Sequence, residues 1–183
     1  DYLQTSNRRI FAAGDVASPY QFTHMAEASA SLVVQNALFL RTGKLSRLVV
    51  PWATYTSPEV AHVGLSEQEA ERRGTAVDVY RHDLASVDRA RLDGEDAGFV
   101  KILTAAGKTK ILGATIVAAH AGEMLPEIVL AMQNKLGIDR LASVIHPYPT
   151  QAEAVKRAAA GYLKKKLTPR VKAMMTTWFR WRR

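Results

Sequence analysis

Two short stretches hold the residue types best suited to chemistry. The first is His146-Pro147-Tyr148-Pro149-Thr150-Gln151-Ala152-Glu153. Prolines flank the tyrosine, a histidine precedes it and a glutamate follows. Proline fixes its own φ and restricts the residue before it. The phenol is therefore expected on a stiff corner, with a cis bond before Pro149. A phenol donates hydrogen bonds well, but with an ordinary pKa of about 10 it is a poor general base at neutral pH. Thr150-x-x-Glu153 also has the spacing of a capping box. Glu153 thus reads either as a helix-start residue or as a carboxylate that serves the corner.

The second stretch is Ile10-Phe11-Ala12-Ala13-Gly14-Asp15. An apolar strand that stops at Gly14 lets backbone approach a ligand closely. It also sets the Asp15 carboxylate beyond the strand's carboxyl end, where open α/β sheets bind ligands. Asp15 could accept hydrogen bonds from sugar-like hydroxyls, or could only cap the next segment. Gln21, Phe22, Thr23 and His24 then open a helix, whose free N–H groups favour negative charge on a bound group. His24 alone reads as a surface histidine. His62, His82 and His120 show no ligand spacing and the chain has no cysteine, so no metal site is expected.

The elements that must hold these stretches follow from periodicity. A buried strand is expected at Arg9–Ala13, then a helix from Phe22 to Leu40 with Gly43 as its cap. Short strands are expected at Ala53–Tyr55 and Val60–Leu65. Ser66-x-x-Glu69 predicts a capped helix that stops at Gly74. Strands follow at 76–82, 98–104 and 110–118, with Ala106-Gly107-Lys108 as a hairpin turn. A long helix is expected from Gly122 to Asn134, a short one from Ile138, and another from Thr150 to Lys166. Leu167-Thr168-Pro169 breaks it before a weakly amphipathic tail. The fold class is α+β: an antiparallel sheet with helices on one side, preceded by the last strand and helix of another, Rossmann-like domain. The divisions fall at 1–45, 50–162 and 163–183.

Charge is uneven. All 17 acidic residues lie at or before Glu153, and ten basic residues follow it. The body carries about −2 and the last thirty residues about +10. A basic, Trp-bearing tail over 164–183 suits contact with a membrane surface, or a solvated end. No nucleic-acid motif accompanies it, so no nucleic acid is expected as a partner. No segment is apolar enough to span a bilayer, and a cytoplasmic location, peripheral to a membrane at most, is expected.

Thr5-Ser6-Asn7-x-x-Ile10-Phe11-Ala12-Ala13-Gly14-Asp15-Val16 resembles the second flavin-binding motif of the FAD-dependent pyridine nucleotide-disulfide oxidoreductases. Pro51-x-x-x-Tyr55-Thr56-x-Pro58-Glu59-x-Ala61-x-Val63-Gly64-x-Ser66-Glu67 is similar to the opening of their C-terminal dimerisation domain. Ile111-x-Gly113-Ala114 and Gly122-Glu123-x-x-x-Glu127 resemble its middle, and His146–Glu153 its closing active-site segment. The likeness runs from residue 1 to about 162. It implies that Gly14 and Asp15 meet FAD, with Asp15 on the ribityl chain. Backbone at Gln21, Phe22, Thr23 and His24 would face the pyrimidine end of its ring. It also implies an NADH or NADPH donor, a homodimer, and an active site shared between subunits. The dinucleotide fingerprint G-x-G-x-x-G and the redox cysteines are expected upstream, because the chain begins at Asp1 without methionine, like a piece of a longer protein.

The departures matter as much. The resemblance to disulfide reductases implies a catalytic histidine two residues before Thr150, oriented by a glutamate at the position of Glu153, but this chain has Tyr148 in the histidine's place. The tyrosine and Gln21-Phe22 resemble the mercuric reductases, yet the C-terminal cysteine pair of those enzymes is missing here. The acceptor is therefore open among a small molecule, a metal ion and a disulfide, with weak lipoamide-type chemistry expected. Tyr148 and Glu153 are the candidate catalytic residues, and the segment alone is expected to be inactive. A rival reading is a non-enzymatic dimerisation module with a membrane-directed tail.

Overall fold

The computed structural model describes residues 1–182. The chain forms two compact units, 1–50 and 51–183.

In the first unit the expected strand at Arg9–Ala13 does not form. Its single ladder contact is a bridge between Gln4 and Phe11, and Ile10 is 53% exposed. The apolar run thus has no strand alongside it among the described residues. A 3-10 turn over Gly14–Val16 follows, and then α1 (Thr23–Leu38). Gly43 is not the cap of α1, which ends at Phe39. Instead Gly43 is gripped by the buried Asn36, whose Oδ1 accepts from Gly43 N at 3.0 Å and whose Nδ2 donates to Gly43 O at 2.8 Å. A Cβ at Gly43 would meet the end of the Leu32 side chain at 2.8 Å, so the loop packs closely on α1.

The second unit is built on a five-stranded antiparallel sheet in the order β1-β2-β5-β4-β3. The strands are β1 (Pro51–Thr54), β2 (Glu59–Gly64), β3 (Val77–Asp83), β4 (Phe99–Ala105) and β5 (Ile111–Ala118). Cross-strand partners place Ala61, Ile116 and Val100 in one row and Val63, Ala114, Ile102 and Tyr80 in the next, all buried. That face is closed by α4 (Ala121–Met124), α5 (Pro126–Gln133), α6 (Ile138–Ser143) and α7 (Glu153–Lys166). On the opposite face Thr115 and His62 share a 2.9 Å hydrogen bond, and Lys101 pairs with Glu67 of α2 (Glu67–Arg72). The alternation of buried and half-exposed residues along β5 follows the two-residue period of a strand with one face in the core.

Local signals decide most boundaries. Ser66 Oγ accepts from Glu69 N at 3.1 Å, which caps α2. Gly74 just beyond it takes φ +60°. The helix expected over 122–134 is divided, because Pro126 cannot donate a backbone hydrogen bond and opens α5. The short α3 (Asp88–Asp93) ends at Gly94 in the left-handed region. After α7, Thr168 caps α8 (Pro169–Trp181), which buries no side chain. No helix among the described residues is long and apolar enough to cross a membrane.

A Cβ on Gly113 of β5 would strike the backbone of Leu65. Gly113→Ala is expected to lower stability by about 1–3 kcal/mol, read as a shifted urea midpoint. An unchanged midpoint would contradict this packing.

Candidate functional site

In the first unit, Gly14 takes φ +73° and its N–H donates to Ser29 Oγ at 2.8 Å. Ser29 is fully buried on α1, so the helix holds the glycine turn in place. Asp15 is exposed and its carboxylate accepts no hydrogen bond among the described residues. Phe22 occupies the N-cap of α1 without a side-chain cap, and the first turn carries no acid. The positive end of the helix dipole is thus left open to an electron-rich group. Phe22 and His24 stack with centroids 5.2 Å apart, while Gln21, Thr23 and His24 are exposed. An unpaired carboxylate, a glycine turn and an uncapped helix start fit a group with hydroxyls at one end and a ring that can carry negative charge at the other.

In the second unit, the corner at 146–150 has the expected cis bond before Pro149, and a second cis bond precedes Pro58. Tyr148 is 71% exposed and its hydroxyl donates to Asp88 Oδ2 at 3.0 Å. Asp88 is the first residue of α3, sixty positions earlier. Its carboxylate, as acceptor and then as negative charge, raises the phenol pKa above its ordinary value. The phenol therefore stays protonated at neutral pH, with its proton committed to Asp88.

The capping box expected at Thr150 does not form. Thr150 Oγ1 donates back to Pro147 O at 2.8 Å, and α7 starts at Glu153 with Ala152 in the N-cap position. The turn at 151–152 is already helical, with Ala154 N bonded to Gln151 O and Val155 N to Ala152 O. The threonine side chain is thus turned away from the helix start.

Glu153 is held by Arg157, one turn on, with N–O distances of 3.1 and 3.0 Å. Arg157 also donates to Ser86 O at 2.6 Å, and so ties the start of α7 to the loop before α3. Glu153 Oε2 is buried without a partner. His146 is buried and pairs with Glu127 Oε2 at 2.9 Å, which makes it an anchor beneath the corner. Gln151 donates to Glu95 at 3.0 Å, and an open cleft of about 360 Å³ runs beside Pro149–Ala152, with His120, Glu123 and Arg89 on its far wall.

Sequence reasoning missed three of these residues. Asp88 lies too far along the chain for any local signal. Arg157 stands four residues after Glu153 on a helix, and that spacing could have found it. Glu127 lies in the quoted Gly122-Glu123-x-x-x-Glu127 motif, but its histidine partner becomes visible only in the fold. Among the described residues no cluster of three or more metal-ligating side chains occurs.

Comparison with known proteins gives these segments a context. The dimerisation domain of the pyridine nucleotide-disulphide oxidoreductases matches residues 50–159. The chain belongs to that family. A mercuric reductase of Staphylococcus aureus is 40% identical over 164 residues, which cover 90% of this chain and 30% of the relative. A mitochondrial dihydrolipoyl dehydrogenase of Dictyostelium discoideum is 34% identical over 87% of this chain and 32% of its own. Among solved structures, LpdA of Mycobacterium tuberculosis superposes with a TM-score of 0.80 at 25% identity, covering 88% of this chain and 35% of that one. The HOCl-induced flavoprotein disulfide reductase RclA of Escherichia coli gives 0.76 at 26%, over 87% and 37%. The chain thus spans about a third of the length of these proteins. Nothing in these relatives supports a non-enzymatic dimerisation module.

Two measurements probe the corner. The raised phenol pKa means that the Tyr148–Asp88 bond persists below the ordinary phenol value of 10 and is lost as pH rises through the higher folded value. Asp88→Asn should move the Tyr148 phenolate signal, taken as the difference from Tyr148→Phe, to lower pH. An unmoved signal would break the assignment. Arg157→Met leaves Glu153 without its partner and should cost about 1–3 kcal/mol in urea unfolding, whereas a neutral result would mean that Arg157 does not hold the corner.

Proposed function

We propose that this chain is the C-terminal portion of a flavin-dependent NAD(P)H oxidoreductase of the mercuric and disulfide reductase type. Residues 1–45 would complete the FAD-binding domain, 50–162 would make the dimer, and 163–183 would form a basic tail suited to a membrane surface. FAD would supply two-electron transfer between the nicotinamide and an acceptor. Asp15 would bind the ribityl hydroxyls, and Gly14 would let backbone approach the cofactor. The N–H groups at Gln21, Phe22, Thr23 and His24 would favour electron density at the pyrimidine end of its ring. The protein would work as a homodimer in the cytoplasm.

The observation that supports this reading is the Tyr148 corner, an exposed phenol in a segment that resembles the family's closing active-site segment. Its hydroxyl donates to Asp88, and a thiolate or ligand oxygen would compete for that hydrogen bond. A phenol held protonated is suited to donate a hydrogen bond and unsuited to take a proton from a thiol. The exposed side chain at the corner is thus a phenol, whereas the His146 side chain is buried against Glu127. The acceptor favoured is therefore a thiol-bound metal ion or a small molecule, ahead of a lipoamide-type disulfide.

In the complete protein, Tyr148→Phe should reduce turnover with the true acceptor by about tenfold to a hundredfold, while reduction of the flavin by the nicotinamide is spared. Equal losses in both half-reactions would remove Tyr148 from the acceptor side. The chain by itself should sediment as a dimer at tens of micromolar, and a monomer there would contradict the interface assigned to 50–162.

A further inference from the structure

We propose that α8 lies flat on an anionic lipid surface, with its tryptophans in the headgroup region. This inference does not rest on the oxidoreductase reading. The helix is a separate amphipathic element: it is capped by Thr168, runs for 13 residues and buries none of them. Met174, Thr177, Trp178 and Trp181 line one open apolar side. The rings of Trp178 and Trp181 stand 5.5 Å apart. Lys172, Thr176 and Arg180, at four-residue spacing, form a polar stripe elsewhere on the helix. No acidic residue follows Glu153, whereas Lys164, Lys165, Lys166, Arg170, Lys172, Arg180, Arg182 and Arg183 crowd the last twenty positions.

Charge complementarity selects the occupant. A second copy of α8 would bring like charge against like charge, with no acid on either helix to relieve it. Trp178 and Trp181 lie opposite the Lys172–Arg180 stripe, with Arg170 and Arg182 at the edges of their face, an arrangement that suits a helix lying in a lipid interface with its cations at headgroup level. Tryptophan favours the headgroup level, and the surrounding cations favour anionic lipid. At 13 residues the helix is too short to cross the bilayer.

The test is flotation of the full chain with phosphatidylcholine vesicles and with vesicles that also contain phosphatidylserine, at low and high salt. Two variants accompany it: Trp178→Ser with Trp181→Ser, and Lys172→Gln with Arg180→Gln and Arg182→Gln. Because α8 buries nothing, both variants should keep the urea midpoint of the wild type. The chain should float with phosphatidylserine vesicles, stay behind with phosphatidylcholine alone, and detach as salt rises. Each variant should lose about tenfold or more in binding. No flotation on phosphatidylserine at low salt would overturn the proposal, as would equal flotation on both lipids or wild-type flotation of both variants. If the variants instead lose a single-stranded oligonucleotide or lose self-association, with flotation unchanged, the surface serves another partner and the proposal fails.

Discussion

The Tyr148 corner has a fixed place because α7 is pressed onto the sheet. Ala154, Val155, Ala158, Ala159 and Tyr162 are all buried along one side of that helix. Three of them are alanines, which let the helix approach β3 and β4 closely. Gly161 faces Tyr80, where a Cβ would come within 3.3 Å of the ring, and Tyr80 meets Tyr162 edge-on at 6.0 Å. Burying one large apolar side chain stabilises by about 1.5–3 kcal/mol, while an exposed ion pair contributes about 0–1 kcal/mol. Packing therefore sets where α7 lies. Arg157 adds direction, because it joins Glu153 to the loop that carries Asp88. The corner just before the helix inherits its orientation from both.

That arrangement redirects the chemistry of the segment. A glutamate that would orient a basic side chain is here held by an arginine, and the exposed side chain at the corner is a phenol bonded to an aspartate. His146, two residues before the tyrosine, is paired with Glu127 and its side chain is buried, while His120 lines the neighbouring cleft and His82 bonds Ser86 Oγ at 2.9 Å. Arg157 and Glu127 thus steady the turn. The phenol is left as a protonated group at the surface, bonded to Asp88.

Much of the fold was legible because its signals are local. Ser66 and Glu69 announced the cap of α2, Gly74 its end, and Ala106-Gly107-Lys108 the hairpin between β4 and β5. The apolar alternation placed all three long strands within a residue or two. The failures are also physical. Phe11 sits in an apolar run, but a run becomes a strand only where neighbours pair with it. Thr150 and Glu153 have capping-box spacing, yet the hydroxyl bonds Pro147 O instead. Gly43 resembles a helix cap but closes a loop over Asn36. At the site, Tyr148 and Glu153 were readable from their motif, and Asp88 was not, since only the tertiary fold brings it to the phenol.

The family resemblance implies, and we propose, that the Tyr148 corner of one subunit serves the cofactor held by its partner. Intersubunit complementation in the complete protein tests it most directly. An Asp15→Ala chain, deficient in flavin, and a Tyr148→Phe chain, deficient at the corner, would be co-expressed and their mixed dimers isolated. If the site is shared, a mixed dimer contains one site with both defects and one with neither, and activity should return to about half that of the wild-type dimer. If mixed dimers are no more active than the two parents, the corner serves its own subunit and the account is contradicted.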